Sequence, residues 1–127
     1  MAVYNLSTMF EPQYVGSAAA ALVFATPGAP VVVPLKYNYQ ISVLRVANVT
    51  AAPVALTVWR VPVGAAADAT HLVTPSTVNI PVATNTFPHF DVTALWGALL
   101  GPGDAVWMQA SAASSLVVQG DGAVVSV

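Results

Sequence analysis

YNYQISVLRVANVTAAPVALTVWRV, residues 37–61, holds two β-strand patterns with a breaker between them. Successive residues of a strand point to opposite faces, so Tyr39, Ile41, Val43 and Arg45 share one side and Gln40, Ser42, Leu44 and Val46 the other. Beyond Asn48-Val49-Thr50-Ala51-Ala52-Pro53, Val54, Leu56 and Val58 alternate with Ala55, Thr57 and Trp59 in the same way. Both halves are rich in Val, Ile, Thr, Tyr and Trp, which suit a pleated, half-buried surface. The stretch reads as a long central hairpin.

Outward from it, short β patterns and turn signals follow one another. Residues 1–16 mix Tyr4, Met9, Phe10, Glu11, Pro12 and Tyr14 without a steady period. They read as an extended N-terminal arm, held either on its own domain or by a neighbour. Residues 17–26 are rich in Ala, so a short helix competes there. The sequel Leu22-Val23-Phe24-Ala25-Thr26, closed by Pro27-Gly28, favours a strand and a turn. Val31-Val32-Val33 between Pro30 and Pro34 fits an edge or a bend, because proline donates nothing to a ladder. Residues 62–70 read as a loop, 77–82 and 87–92 as short strands, and 93–100 as one helical turn capped by Asp91 or Thr93. Gly101-Pro102-Gly103-Asp104 meets the demands of a type II turn. Residues 105–110 form a further strand pattern, and residues 116–119 and 123–127 read as a hairpin turning on Gly120-Asp121-Gly122. The sum is an all-β antiparallel sandwich, jelly-roll-like, of about eight strands. It forms a single domain over residues 17–127 behind the arm.

Composition limits what such a domain does. The 127 residues fit one domain, with 57% hydrophobic and only 6% charged residues, against ~25% charged in an average soluble domain. A lone domain of this size leaves much of its surface in water, and few ionic groups protect poorly against self-association. Cover by partner subunits accounts for the imbalance better than Ser, Thr, Asn and Gln alone. Three basic residues against five acidic give a net charge of −2, and Lys36, Arg45 and Arg60 are scattered. Binding to nucleic-acid phosphates needs clustered cations, so it is not expected. Residues 18–33 are apolar, but Pro27, Gly28 and Pro30 interrupt them before the ~20 residues of a spanning helix. No positive segment precedes an apolar core at the N-terminus, so no secretory signal is expected and synthesis is read as cytoplasmic. Without cysteine there are no disulfides or thiolate metal sites. The sequons Asn5-Leu6-Ser7 and Asn48-Val49-Thr50 read as loop and turn.

Candidate chemistry is thin. His89 and Asp91 would share a face of a strand, but a catalytic zinc takes three protein ligands and only the distant His71 and Glu11 remain. His89 reads better as a partly buried strand residue bonded to its neighbours. No nucleophile elbow or phosphate-binding glycine loop is present. Catalytic, metal and cofactor sites are therefore expected to be none, and no small-molecule substrate is expected. Trp59, Trp96 and Trp107 could form a sugar platform, though two of them sit among Val and Met in strand patterns and fit core or interface packing better. Arg45 and Arg60 either bond to loop carbonyls or meet a carboxylate of another subunit, and the second reading is preferred because rare charges are seldom left unpaired. The residues singled out for an interface are Tyr4, Phe10, Tyr14, Arg45, Arg60 and Trp96.

Residues 25–28 (ATPG), 39–50 (YQISVLRVANVT), 54–58 (VALTV) and 100–106 (LGPGDAV) resemble the small β-sandwich virion proteins of tailed bacteriophages. That family includes capsid decoration (cement) subunits and accessory head or tail components. The resemblance covers roughly residues 20–120 and leaves the arm unmatched. It implies a virion location, in the head rather than the tail, and a trimer or dimer that clamps the major capsid protein or another virion protein. No membrane partner is expected. A rival is a receptor- or carbohydrate-binding module of a tail fibre, using Trp and Tyr on loops. A remoter one is a small hydrolase or metal-dependent enzyme, which needs His71, His89 and Asp91 to converge. An arm gripping the shell implies that deleting residues 1–15 weakens particle binding and leaves the sandwich folded.

Overall fold

The computed structural model describes residues 3–25, 30–73, 78–84 and 88–126, with the backbone alone for residues 3–6 and 126. Its strands are β1 (Val3–Tyr14), β2 (Ala20–Ala21), β3 (Tyr37–Asn48), β4 (Val54–Val61), β5 (Val78–Ile80), β6 (Phe90–Asp91), β7 (Leu99–Leu100), β8 (Ala105–Ala110) and β9 (Leu116–Ser126). One sheet runs β1-β9-β3-β6, with β7 also on β3, and the other β2-β8-β4-β5. The pairings are antiparallel. The fold is the all-β sandwich that the alternating patterns predict.

The central hairpin is not there. β3 pairs with β9, β6 and β7, whereas β4 pairs with β8 and β5, so residues 49–53 form an arch from one sheet to the other. Two-residue hairpin turns need positive φ, usually from glycine, and this connection has none. Asn48 holds the arch. Its buried side chain donates to the Ala52 and Ile80 carbonyls at 2.9 Å each and accepts from Thr50 N at 2.9 Å and Thr50 Oγ1 at 2.6 Å. Asn48→Ala would leave two carbonyls and an amide without these partners, and should lower the unfolding free energy in urea by about 2 kcal/mol. Asn48→Asp has the same shape but cannot donate, and should recover little of that loss.

Strand alternation also shifts phase inside β3. Tyr39 and Ile41 are fully buried, but so are Leu44 and Val46, which the unbroken period placed on the opposite face. The register between β3 and β9 slips between Ile41 and Val43, opposite Gly122 and Asp121. This bulge turns Leu44 inward and keeps Arg45 outward. Gly120-Asp121-Gly122 does not turn the chain, because β9 runs straight through it. A Cβ on Gly122 would lie 2.1 Å from the Gln40 carbonyl oxygen, and one on Gly120 2.8 Å from that of Val43. These glycines let two backbones approach, the other use of glycine in a strand.

Residues 3–14 of the expected arm are β1, paired along β9 from Val3↔Ser126 to Tyr14↔Val117. Met9 and Phe10 enter the core. Phe10 stacks on Phe24 with ring centroids 5.0 Å apart, and Phe24 meets Tyr39 edge-on at 5.0 Å. Burial, and then the neighbouring Tyr37, push the Tyr39 phenol above its ordinary value. The strand expected within residues 17–26 is present at Ala20–Ala21 only, and residues 22–25 strap the outer edge of β1. Ala25 N donates to Met9 O at 2.9 Å, and the Gln13 amide holds both the N–H and the C=O of Val23, at 3.0 and 2.9 Å.

Other local readings meet mixed outcomes. Residues 31–33 form no strand, but Val33 exchanges backbone bonds with the 101–104 turn, at 2.9 Å to Asp104 O and 2.8 Å from Gly103 N. That turn has the predicted form: Asp104 N donates to Gly101 O at 3.1 Å, and Gly103 has φ 87°. The helical turn of 93–100 is a 3₁₀ turn at Thr93–Leu95 without a side-chain cap from Asp91 or Thr93. Leu99 and Leu100 then pair with β3. The readings on Thr26, Pro27, Gly28, Thr77 and Phe87 lie outside the described residues.

Candidate functional site

With three basic and five acidic residues in the whole chain, the partner of each can be followed. Asp68 caps the 3₁₀ turn at Ala69–His71, accepting from Thr70 N at 3.1 Å, Thr70 Oγ1 at 2.6 Å and His71 Nδ1 at 2.9 Å. The Thr70 hydroxyl above all, helped by the Thr70 amide and His71, holds its carboxyl below the usual range against an opposing effect of desolvation. Asp104 accepts from Val63 N at 3.1 Å and Gly101 N at 2.9 Å. Asp91 lies 3.9 Å from Arg45 Nε. Arg60 stands in phase with the core residues Val54, Leu56 and Val58, and its guanidinium crosses the mouth of the sandwich to the Leu99 carbonyl. Glu11, Asp121 and Lys36 remain, and among the described residues their side chains have no hydrogen bond or ion pair.

The two free carboxylates line one pocket. It is a depression of about 270 Å³ bordered by Thr8, Glu11, Pro12, Arg45, Gln119 and Asp121. Register places it on the outer face of the β1-β9-β3 sheet: Thr8 is opposite Asp121, and Arg45 is opposite both Gln119 and Asp91. The β1–β9 register slips between Thr8 and Phe10 and again before Gln13, and β3–β9 slips beside Asp121. Paired bulges thus splay the strands and open the depression. His89, exposed and just ahead of β6, has Nε2 3.2 Å from Gln119 Nε2. Arg45 with Asp91, Glu11 and Asp121 gives one positive against three negative charges, or −2, equal to the formal charge of the whole chain.

A second feature is apolar. Val31, Val32, Leu35, Val63 and Leu99 are exposed, Leu35 to 82% and Val63 to 69%. They gather where β3 begins and β4 ends, around the 101–104 turn that Val33 and Val63 both bind.

The residues expected at an interface are dispersed. Phe10 has no exposed surface and belongs to the core, because the β1 bulge turns both it and Met9 inward. Tyr14 and Trp96 are exposed, to 60% and 41%. Arg45 lies 3.9 Å from a carboxylate of its own chain, and Arg60 donates to the Leu99 carbonyl in β7. Tyr4 lies on β1 opposite Val125, its side chain outside the described residues. Trp59 and Trp107 face each other across β4 and β8, one buried and one half-buried, while Trp96 follows the 3₁₀ turn. His89 is exposed instead of partly buried. His71 is bound to Asp68 beside the Trp59–Leu72 bridge of the other sheet, away from His89. Among the described residues no three His, Asp or Glu are placed to hold a metal ion, and no helix is long and apolar enough to cross a membrane. Glu11 was noted from sequence only as a distant metal ligand and Asp121 only within a turn signal, and Gln119 was not singled out. The available signal was an aspartate between two glycines inside an otherwise apolar strand.

No family model and no curated protein matches the chain. Among solved structures it is similar to a chain of the infectious bursal disease virus Gx strain structure, with 10% identity and a TM-score of 0.42 over 98% of its length. This chain spans 33% of that one. At that level of likeness, nothing about activity or partners carries over.

Proposed function

We propose that this protein is a non-enzymatic virion structural subunit. In the finer reading it is a decoration (cement) subunit of a phage head that oligomerises and binds neighbouring shell proteins. The observation that carries this is the exposed apolar end formed by Val31, Val32, Leu35, Val63 and Leu99, on a chain with only 6% charged residues. Burying apolar area is worth ~25 cal/mol per Å², so an interface of standard size gains far more from such an end than from one exposed ion pair. Binding of this kind depends little on salt.

Co-sedimentation with phage heads stripped of accessory proteins tests it. The purified protein should pellet with the heads equally at low salt and at about 1 M salt. Val32→Asp combined with Leu99→Asp should reduce retention at least tenfold at an unchanged melting temperature. Undiminished retention of that variant would remove the apolar end from the interface. Glycan-array binding that disappears in Trp96→Ala would instead assign the chain to the receptor-binding parts of a tail.

A further inference from the structure

The three charged side chains left without a partner among the described residues are two carboxylates in one pocket and a lysine on an exposed turn. We propose that the turn bearing Leu35 and Lys36 in one copy of the chain docks into the Glu11 and Asp121 pocket of a second copy. This rests on the reading of the protein as an oligomerising subunit, and names the contact.

The pairing is between copies because the chain cannot make it with itself. Lys36 immediately precedes Tyr37, the first residue of β3, and Asp121 is opposite Val43 further along that strand. At ~3.3 Å per residue the pocket lies about 20 Å from the turn, well beyond the reach of a lysine side chain. Lys36 has φ 69°, a left-handed conformation that costs a non-glycine residue ~1 kcal/mol and that glycine adopts freely. The sequence keeps a lysine there, next to Leu35, a leucine that leaves 82% of its surface in water. Strained positions of this sort concentrate where a side chain must be presented.

The pocket suits an ammonium group. A lysine offers three donors and accepts nothing, and the pocket places Glu11, Asp121 and the Thr8 hydroxyl around one space. Arg45 also lines the pocket, but its ion pair is with Asp91 at 3.9 Å, and the one positive and three negative groups there leave a net charge of −2. Pro12 gives the lysine stem an apolar wall. Two copies that exchange turns close a two-fold dimer, and copies that pass the turn onward close a ring.

Sedimentation velocity over a concentration series provides the test, using wild type, Lys36→Glu, Lys36→Gly and the double variant Glu11→Lys with Asp121→Lys. Wild type should self-associate, at least tenfold more weakly at about 1 M salt than at low salt. Each variant alone should associate at least tenfold more weakly than wild type. A one-to-one mixture of Lys36→Glu with the double variant should associate again, because one turn-to-pocket contact re-forms with its charges exchanged and the other re-forms as in wild type. Lys36→Gly suits the positive φ and should keep or raise the melting temperature, so its failure to associate cannot be a folding defect. A wild type that stays monomeric, a Lys36→Glu protein that associates like wild type, or a mixture that stays monomeric overturns the proposal. Association that survives Lys36→Glu removes this contact and leaves shell binding through Val32 and Leu99 untouched. A working charge exchange in a protein that ignores phage heads removes the shell reading and leaves this contact in place.

Discussion

Gly122→Ala should lower the unfolding free energy by at least about 3 kcal/mol, near or beyond the upper end for overpacked sites. The added methyl carbon would sit 2.1 Å from the Gln40 carbonyl oxygen and 2.9 Å from Met9 Cε. The methionine tip can swing aside, but the carbonyl belongs to β3 and cannot move without parting β3 from β9. Those strands pair from Tyr37↔Ser126 to Asn48↔Leu116, the ladder that joins the two long central strands of the sheet. Gly64→Ala is the control: φ is 76° and nothing lies within 4 Å of the added carbon, so only the backbone preference is lost, about 1 kcal/mol. Urea denaturation of both variants separates close approach from conformational freedom. Equal losses would show that the strand crossing at Gly122 is looser than described.

Deleting residues 1–15 should abolish the cooperative fold, contrary to what a free arm implies. Phe10 and Met9 are buried, and Phe10 stacks on Phe24. Removing such side chains singly costs about 2–5 kcal/mol each, comparable to the 5–15 kcal/mol that holds a domain together. The deletion also strips β9 of one of its two neighbours and leaves a row of unpaired backbone groups beside an open aromatic core. The truncated chain should lose its thermal transition and aggregate, as read by circular dichroism and light scattering. A truncated protein that melts sharply near the wild-type temperature would return residues 3–14 to the role of a dispensable arm.

The patterns that proved legible are those carried by single strands. Alternation in residues 37–41 and 54–58, and the glycine at the third position of the 101–104 turn, lead directly to what is seen. Partners and phase were not legible. The same Val and Leu spacing serves a hairpin or an arch, and only the buried Asn48 side chain, bonded across to Ile80, reveals the arch. Gly-Asp-Gly serves equally as a turn or as a close crossing of strands, and the choice depends on β3, about eighty residues away. The pocket was hidden for the same reason: Glu11, Arg45 and Asp121 meet only because the first, third and last strands lie side by side. The apolar end is assembled from three separate chain segments that no local period connects.

That neighbour order also governs how the molecule is made. The last of the nine described strands in chain order, β9, lies between the first and the third, so neither can complete its sheet until residues 116–126 clear the ribosome. At ~5–20 residues per second the nascent β1 waits roughly 5–20 s with Met9 and Phe10 uncovered. Holding that interval safe falls to chaperones or to fast synthesis, and a host short of either should deliver this protein as inclusion bodies.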